Sequence, residues 1–257
     1  MSTAIVVPVY NQANYTRNCF RSIAMNTKDY HIVWVDNAST LKDGAKIKDS
    51  LDKDHINYTL LQNESNEGFI KATNRGIQWA IDNNFEYIVL LNNDTILTPN
   101  WLDQLIWHYN HYPKGKVGAV GPIASPSISF QAVNNLSRSY SFPPYDGVSL
   151  NDYANLLYKA NQHQAITSKM IAFFCTLFRI EIFKTLGLLD IDYGVGLVDD
   201  DDFCYRMRKA EYLPIIALDT YVFHYSRTTF THLGINPGDV IAQNWELFRK
   251  KHGVNKA

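Results

Sequence analysis

The stretch Tyr87-Ile88-Val89-Leu90-Leu91-Asn92-Asn93-Asp94 joins an apolar run directly to a polar triplet. Short apolar runs rich in β-branched and aromatic side chains are typical of strands buried on both faces. Asn and Asp favour turns, so the triplet predicts the end of that strand. The stretch is therefore interpreted as one buried strand of a sheet, closed by polar residues at its carboxyl end.

The same alternation of strand and helix signals extends over the first 120 residues or so. Predicted strands cover residues 3–9, 31–35, 56–61, 87–91 and 117–120, and predicted helices cover residues 15–25 and 67–81. Thr98 and Pro99 predict the N-cap and first residue of a further helix. Strands that alternate with helices indicate the α/β class, with a mostly parallel central sheet and helices on its faces.

Polar pairs also follow the first two predicted strands. Tyr10 and Asn11 come after the first strand, and Asp36 and Asn37 come after the second. Parallel sheets bind ligands where the carboxyl ends of their strands open into loops. These pairs and the 92–94 triplet are therefore expected to meet at one edge of the sheet.

The second half of the chain has a different pattern. Residues 122–165 are rich in Ser, Asn, Pro and Tyr and predict a long loop, whose Tyr140, Phe142 and Tyr145 either stack on a sugar ring or pack against the body. Predicted strands follow at residues 171–178, 215–218 and 221–223, and predicted helices at residues 181–186, 199–210 and 242–250. With no linker or repeat in view, one continuous domain with two lobes is expected.

Composition narrows the class of protein. The 257 residues include 24 Lys and Arg against 25 Asp and Glu, for a net charge of −1, which argues against a stable nucleic-acid partner. No apolar run approaches the length of a membrane span, and no signal peptide is recognised. Cys19, Cys175 and Cys204 are odd in number and far apart, so three reduced, buried thiols and a cytoplasmic location are expected.

Three acidic or imidazole features are candidates for chemistry. Asp94 stands at a strand end and could ligate Mg²⁺ or Mn²⁺, or simply close the strand. Four consecutive carboxylates precede a predicted helix, either as a general base with its neighbours or as helix caps: Asp199, Asp200, Asp201 and Asp202. His224 follows a predicted strand, either as a metal ligand or as a structural histidine.

Several common motifs are missing from the sequence. No G-x-G-x-x-G and no G-x-x-x-x-G-K-[ST] follows a predicted strand, which argues against a dinucleotide dehydrogenase and a P-loop kinase. No G-x-S-x-G occurs either, which disfavours a serine hydrolase of that type. A nucleotidyltransferase would need a Gly-rich basic loop after the first strand, where residues 8–11 supply none.

The ordered set of motifs resembles family 2 glycosyltransferases with the GT-A fold, especially their rhamnosyltransferase-like members. The matching segments are residues 5–11, 35–39, 66–69, 74–76, 91–95, 187–190, 199–206, 211–212, 222–224 and 245–253. The resemblance covers about residues 3–253. It implies one GT-A unit, a Rossmann-like sheet with a smaller acceptor-side lobe. The nucleotide-sugar half is expected at about 1–120, and the acceptor-binding and catalytic half, ending in a helix, at about 121–257.

The resemblance also implies a donor site. A UDP- or dTDP-linked sugar would be bound by seven residues: Pro8, Tyr10, Asp36, Gly68, Asn74, Asn93 and Asp94. Within this set, Asp36 would accept a hydrogen bond from the imide N–H of the uracil or thymine ring. Asn93 would occupy the position of the family's DxD motif that lies toward the ribose. Asp94 and His224 would ligate Mn²⁺ or Mg²⁺.

The same resemblance assigns the catalytic base to Asp200, which would take the proton of an acceptor hydroxyl in an inverting displacement. Asp199 stands where the family has Glu, and Asp201 adds a charge, so either neighbour remains open as the base. Asn92 replaces the first acid of DxD, which leaves one carboxylate for the metal. The segment Ala172-Phe173-Phe174 departs from the family's small residues and would shape the floor of the site differently.

The expected acceptor is a saccharide of a surface polysaccharide or glycoconjugate, with a protein or a modified nucleobase as alternatives. Peripheral contact at the inner face of a membrane is compatible with this reading, although no span is predicted. The competing interpretation is a non-catalytic module of the same fold that binds a sugar nucleotide or a glycan. Retention of Asp94, the acidic cluster and His224 together favours the enzyme.

Overall fold

The computed structural model describes residues 2–125, 130–132, 148–226 and 236–254. Its strands are β1 (Thr3–Val9), β2 (Tyr30–Asp36), β3 (Tyr58–Gln62), β4 (Tyr87–Leu91), β5 (Thr95–Leu97), β6 (Lys116–Ser125), β7 (Ala165–Thr167), β8 (Cys175–Arg179) and β9 (Tyr212–His224). They form one sheet in the order β3-β2-β1-β4-β8-β6-β9-β5, with β7 also paired to β9. The sheet thus draws strands from both halves of the chain.

The helices are α1 (Ala13–Asn26), α2 (Leu41–Lys53), α3 (Phe69–Asp82), α4 (Trp101–His111), α5 (Leu150–Asn161), α6 (Ile180–Leu186), α7 (Asp199–Lys209) and α8 (Pro237–His252). A short 3₁₀ helix covers Ile191–Tyr193. Strands β1, β2, β3, β4, β6 and β9 run in one direction, and β5, β7 and β8 run against them. The predicted α/β class with a mostly parallel sheet is confirmed.

Side-chain alternation along the strands builds a core on each face of the sheet. In β1, Ala4 and Val6 point to one core, which also contains side chains of α3, α5, α6 and α7. Ile5 and Val7 point to the other core, which is covered by α1, α2 and α4. The predicted helices on both faces are therefore confirmed, and the three cysteines are buried and free.

Helix α3 packs so closely on the sheet that residue 76 has no room for a side chain. A Cβ atom on Gly76 would collide with the side chain of Val6 and lie 3.0 Å from Cγ2 of Val35. We expect Gly76→Ala to lower the free energy of unfolding by about 1–3 kcal/mol, because the core would be overpacked. The fall in Tm measures the effect. Gly44→Ala is the matched control, because its Cβ would meet only Oδ2 of Asp36, at 3.8 Å. Equal Tm changes in both variants would contradict the prediction.

The predicted N-cap at Thr98 is wrong. The Thr98 hydroxyl donates to the backbone oxygen of Tyr221 at 2.5 Å and is buried there, so it is engaged by β9. Helix α4 instead begins at Trp101, after Asn100 in a left-handed backbone conformation.

The two short strands predicted at 215–218 and 221–223 form one continuous strand, β9. Its parallel pairing with β6 shifts register between Pro122 and Ile123, whose partners are Ala217 and Tyr221. Residues 218–220 therefore form a bulge, which explains why the sequence pattern is interrupted there.

The long loop predicted at 122–165 is also partly wrong. Strand β6 continues to Ser125, and the segment contains helix α5. The side chain of Ser149 accepts a hydrogen bond from the backbone N–H of Asp152 and caps that helix. Tyr140, Phe142 and Tyr145 lie outside the described residues. No helix in the described part of the chain combines the length and apolar character needed to cross a membrane.

Candidate active site

Pro8, Tyr10 and Asp36, which are predicted to bind the sugar-nucleotide donor, lie at the carboxyl ends of β1 and β2. Pro8 is buried in β1 opposite Val35, and Tyr10 is the partly exposed residue just beyond the strand. Val9 pairs with Asp36, the last residue of β2. The parallel register therefore brings Tyr10 and Asp36 to the same edge, as the sequence predicts.

Asp36 is turned toward the start of α2. Its Oδ1 atom accepts a hydrogen bond from the backbone N–H of Ser39 at 3.0 Å, and the side chain is nearly buried. The first backbone N–H groups of a helix have no partner within the helix, and Asp36 accepts from the backbone just before α2. Asp36 is thus held in a fixed position at the strand end.

Asn37 organises the loop that leads to α3. Its Oδ1 atom accepts from Asn63 Nδ2 at 2.8 Å and from the backbone N–H of Glu67 at 3.0 Å. Its Nδ2 atom donates to Asn66 Oδ1 at 2.7 Å and to the backbone oxygen of Gly68 at 3.2 Å. Both ends of the Asn37 amide therefore form hydrogen bonds within the protein, and Asn37 holds the conformation of the loop beside the site.

Gly68 and Asn74 connect α3 with the second half of the chain. Gly68 has φ +87°, and a Cβ atom there would lie 3.3 Å from the backbone oxygen of Gly194. Asn74 donates to the backbone oxygen of Leu189 at 2.7 Å and accepts from the Leu189 N–H at 3.0 Å. Both ends of the Asn74 amide are therefore engaged by protein backbone, and its predicted contact with nucleotide stays a prediction.

The end of β4 meets the end of β9. The side chain of Asn93 donates to the Thr16 hydroxyl at 2.9 Å. Oδ1 of Asp94 lies 3.1 Å from Nε2 of His224, and both side chains are largely buried. Antiparallel pairing of Thr95 with His224 in the β5–β9 ladder sets this approach. Two side chains 130 residues apart in sequence thus converge, as the sequence predicts.

Phe174 holds the imidazole from one side. Its ring is stacked on His224 with centroids 4.8 Å apart and an interplanar angle of 13°. The backbone oxygen of Phe174 accepts a hydrogen bond from the N–H of Asn92 at 2.8 Å. The segment before β8 thereby fixes both His224 and the end of β4.

The residues around His224 fit a hard divalent cation. Nδ2 of Asn92 lies 3.3 Å from Nε2 of His224, and Oδ1 of Asn92 is buried with no protein hydrogen-bond partner among the described residues. Within that part of the chain, no group of three or more His, Cys, Asp or Glu side chains could hold a metal ion. Asp94 and His224 would supply two ligands, a number that suits a cation completed by substrate phosphates and water.

The four acidic side chains at the start of α7 have different surroundings. Asp202 is buried and accepts from Arg206 Nε at 2.8 Å, with His252 Nε2 2.7 Å away, so its role is to join α7 to α8. Burial raises the pKa of Asp199, and the backbone N–H groups of Asp199 itself and of Leu197 oppose that rise. Asp202 therefore holds the fold around the cluster, and Asp199 lies close to the backbone that precedes α7.

Asp200 lies near the segment that contacts His224. Its carboxylate accepts a hydrogen bond from the N–H of Asp201 at 2.9 Å, and the backbone N–H of Phe173, the neighbour of Phe174, also lowers its pKa. Burial raises the pKa of Asp200 to about 6, and these hydrogen bonds limit the rise. Burial and the charge of Asp200 raise the pKa values of Asp199 and Asp201 to about 8. Asp200 is thus the member of this trio that ionises most readily near neutral pH.

Sequence reasoning missed two contributors to this site. The sequence does not predict the stacking of Phe174 on His224, although the segment 172–174 departs from the pattern of the family it resembles. The sequence also gives no indication of the role of Asn244 of α8, whose Nδ2 atom lies within hydrogen-bond distance of three backbone oxygens just before α7. An Asn within a polar helix carries no sequence signal for such a role.

The fold is shared with solved glycosyltransferases of the GT-A type. GalNAc-T7 with UDP, GalNAc and Mn²⁺ superposes with a TM-score of 0.65 and 17% identity, over 87% of this chain and 43% of that one. The mannosyltransferase PcManGT from Pyrobaculum calidifontis, in complex with GDP-Man and Mn²⁺, gives 0.62 and 19%, over 88% and 58%. S. aureus TarS with UDP-GlcNAc gives 0.55 and 15%, over 87% and 58%.

Sequence comparison gives the family. Residues 4–187 match the model of Glycosyl transferase family 2, and the chain belongs to that family. GlyA of Streptococcus pneumoniae serotype 4 is 27% identical over 202 residues, which are 77% of this chain and 27% of GlyA. GlyG of the same strain is 31% identical over 103 residues, which are 40% of this chain and 33% of GlyG. The chain therefore spans only about a quarter to a third of the length of these curated relatives.

Proposed function

We propose that the protein transfers a sugar from a UDP- or dTDP-linked donor to an acceptor hydroxyl, with inversion at the anomeric carbon and with a divalent metal ion. One observation carries the proposal. The ring of Phe174 stacks on His224, and the backbone N–H of the preceding residue, Phe173, lowers the pKa of Asp200, so one short segment lies near both a candidate metal ligand and a candidate base. A base beside a diphosphate-binding metal is the arrangement that glycosyl transfer needs.

The donor assignment rests on the strand-end residues. Asp36 would accept from the imide N–H of uracil or thymine, with Pro8 and Tyr10 beside it and Asn93 toward the ribose. Gly68 and Asn74 would complete the pocket at the start of α3. The nucleotide-bound states of GalNAc-T7, PcManGT and TarS support a nucleotide-sugar donor for this fold.

Asp94 and His224 would hold Mn²⁺ or Mg²⁺. When bound, the cation would stabilise the negative charge of the leaving diphosphate. The Asp200 carboxylate would take the proton of the acceptor hydroxyl as its oxygen attacks the anomeric carbon. Attack on the side opposite the leaving diphosphate inverts the configuration in one displacement, and the neutral forms of Asp199 and Asp201 would limit charge repulsion.

The proposed acceptor is a saccharide of a surface polysaccharide or glycoconjugate, which a cytoplasmic enzyme would reach at the inner face of a membrane by peripheral contact. A protein side chain or a modified nucleobase is the alternative acceptor. A module that binds the sugar nucleotide without turnover is the alternative function, and the presence of an acidic side chain with a pKa of about 6, Asp200, supports the enzyme.

A panel of sugar nucleotides tests the proposal. Purified protein is incubated with Mn²⁺ or Mg²⁺ and UDP-, dTDP- or GDP-linked sugars, and release of the nucleoside diphosphate is measured with and without oligosaccharide acceptors. We expect slow hydrolysis of a UDP- or dTDP-sugar and its acceleration by an acceptor. Binding without release would support the non-catalytic module, and release of pyrophosphate from a nucleoside triphosphate and a sugar phosphate would indicate a nucleotidyltransferase.

A further inference from the structure

The segment immediately before α7 has an unusual backbone. Gly194, Gly196, Leu197 and Val198 have φ values of +64°, +107°, +69° and +71°. Left-handed conformations are accessible to glycine but rare for other residues, and for a β-branched residue such as Val198 they are outliers. Strain of about 1–3 kcal/mol per residue persists only where the surroundings enforce it. Something must therefore hold residues 194–198 in place.

Asn244 of α8 supplies that restraint. Its Nδ2 atom lies 3.1 Å from the backbone oxygen of Tyr193, 3.0 Å from that of Gly196 and 2.7 Å from that of Leu197, so its two hydrogens are shared among three acceptors. The side chain is buried, with 8% of its surface exposed, so water offers little replacement for these bonds. Removal of the amide would leave the buried carbonyl of Gly196 without this donor, whereas the oxygen of Tyr193 would keep the N–H of Gly196.

The restrained segment leads directly to the acidic cluster. Val198 is the N-cap residue of α7, and the backbone N–H of Leu197 lowers the pKa of Asp199 against the rise that burial causes. The backbone oxygen of Gly194 lies against Gly68 at the start of α3. The segment is therefore placed between the helix that begins beside the donor pocket and the helix that carries Asp200.

We propose that Asn244 is a positioning residue for Asp200, which makes the C-terminal helix α8 part of the catalytic unit through its hold on residues 194–198. The proposal rests on the proposed function, because it assumes that Asp200 acts as the base. It requires that loss of Asn244 weakens proton removal from the acceptor and leaves nucleotide binding unchanged.

The main variant is Asn244→Ala. We expect kcat to fall about 10- to 100-fold, since a displacement of the base by roughly 1 Å has an effect of that size. The KM for the donor and the Kd for UDP should stay within about twofold of wild type, because Asn244 contacts residues 193, 196 and 197 and not Gly194, whose oxygen lies against Gly68. The acid limb of the pH profile of kcat should move to lower pH as the cluster becomes solvated.

Lys251→Ala is the matched control on the same helix. Lys251 pairs with Asp190 and Asp192, which lie at the start of the same connection but outside residues 194–198. We expect wild-type kcat and pH profile for this variant. Asn244→Ser, which keeps a hydrogen-bond donor, should recover part of the kcat and serves as the test variant if Asn244→Ala does not fold.

Unchanged kcat in Asn244→Ala, or equal losses of kcat and UDP affinity in both Asn244 variants, would overturn the proposal. The titration of Asp200, followed by ¹³C NMR of its carboxyl group in the free protein, separates this inference from the proposed function. If wild type transfers no sugar but the pKa of Asp200 falls in Asn244→Ala, the proposed function fails while the positioning role stands. An unchanged titration would contradict the positioning role whatever the activity.

Discussion

Replacement of Asp200 by Asn is expected to reduce sugar transfer by a factor of about 10²–10⁴, the usual contribution of a positioned general base. The amide keeps the shape of the side chain but cannot take a proton. Its Oδ1 atom can still accept a hydrogen bond from the N–H of Asp201, and the residues proposed to bind the donor lie on other elements. The Kd for UDP, measured by calorimetry, should therefore stay close to the wild-type value while kcat is lost.

Two neighbouring variants identify the base within the cluster. Asp201→Asn and Asp199→Asn make the same chemical change one residue away. Both carboxyl groups have pKa values raised to about 8, so at neutral pH they are mostly protonated and cannot take a proton from the acceptor. We expect Asp201→Asn to keep most of the activity, and Asp199→Asn to lose less than Asp200→Asn. If Asp201→Asn is inactive and Asp200→Asn transfers sugar normally, the base is Asp201.

The pH profile adds an independent check on the same residue. Burial raises the pKa of Asp200 to about 6, so its carboxylate form is lost as the pH falls through that value. The wild-type kcat should accordingly decline below about pH 6 with the slope of a single proton. A profile that stays flat well below this pH would contradict the assignment.

The second large effect is expected at the pair of Asp94 and His224. If these residues hold the cation, Mn²⁺ should increase the affinity of the wild-type protein for UDP, and Asp94→Asn should remove that increase. Loss of a metal-directed group typically costs about 10- to 100-fold in affinity, which corresponds to about 1.4–2.8 kcal/mol. Calorimetric titration of UDP with and without Mn²⁺ measures the difference directly.

Asp103→Asn is the control for this experiment, because it removes one carboxylate from the exposed surface of α4. It should leave the response to Mn²⁺ unchanged. His224→Gln should behave like Asp94→Asn, since the imidazole and the carboxylate converge on one point. Equal affinity of wild type for UDP in the presence and absence of Mn²⁺ would rule out a metal role for this pair in nucleotide binding.

The sequence predicts those strands and helices whose apolar pattern lies within the element itself. Buried strands such as β4 and the strongly amphipathic α3 have apolar patterns that predict them at nearly their observed bounds. Helix α2 was missed because most of its surface is exposed and charged, and only Ile47, Ser50 and Leu51 are buried. Helix α5 could have been found from its cap at Ser149, which the surrounding Ser- and Asn-rich composition obscured.

Side-chain contacts between residues that are distant in sequence cannot be predicted from the sequence pattern. The Thr98 hydroxyl donates its hydrogen bond to β9 and therefore does not cap a helix. Asp202 contacts His252, which lies 50 residues further along the chain. The location of the site residues is easier to predict, because the carboxyl ends of parallel strands lie at the same edge of the sheet whatever the intervening sequence. The strained segment before α7 is visible only in backbone angles that residue types alone do not predict.

The ladder between β5 and β9 has a consequence for chain length. Because neighbouring side chains on a strand point to opposite faces, one residue inserted between the bulge at 218–220 and His224 would turn the imidazole away from Asp94. An insertion within the bulge would fall where pairing with β6 is already interrupted. Chimeras that exchange β9 with another protein must therefore preserve the count of residues 221–224. They must also keep Asp219 of the bulge, which is buried against His108 and accepts a hydrogen bond from the N–H of His163.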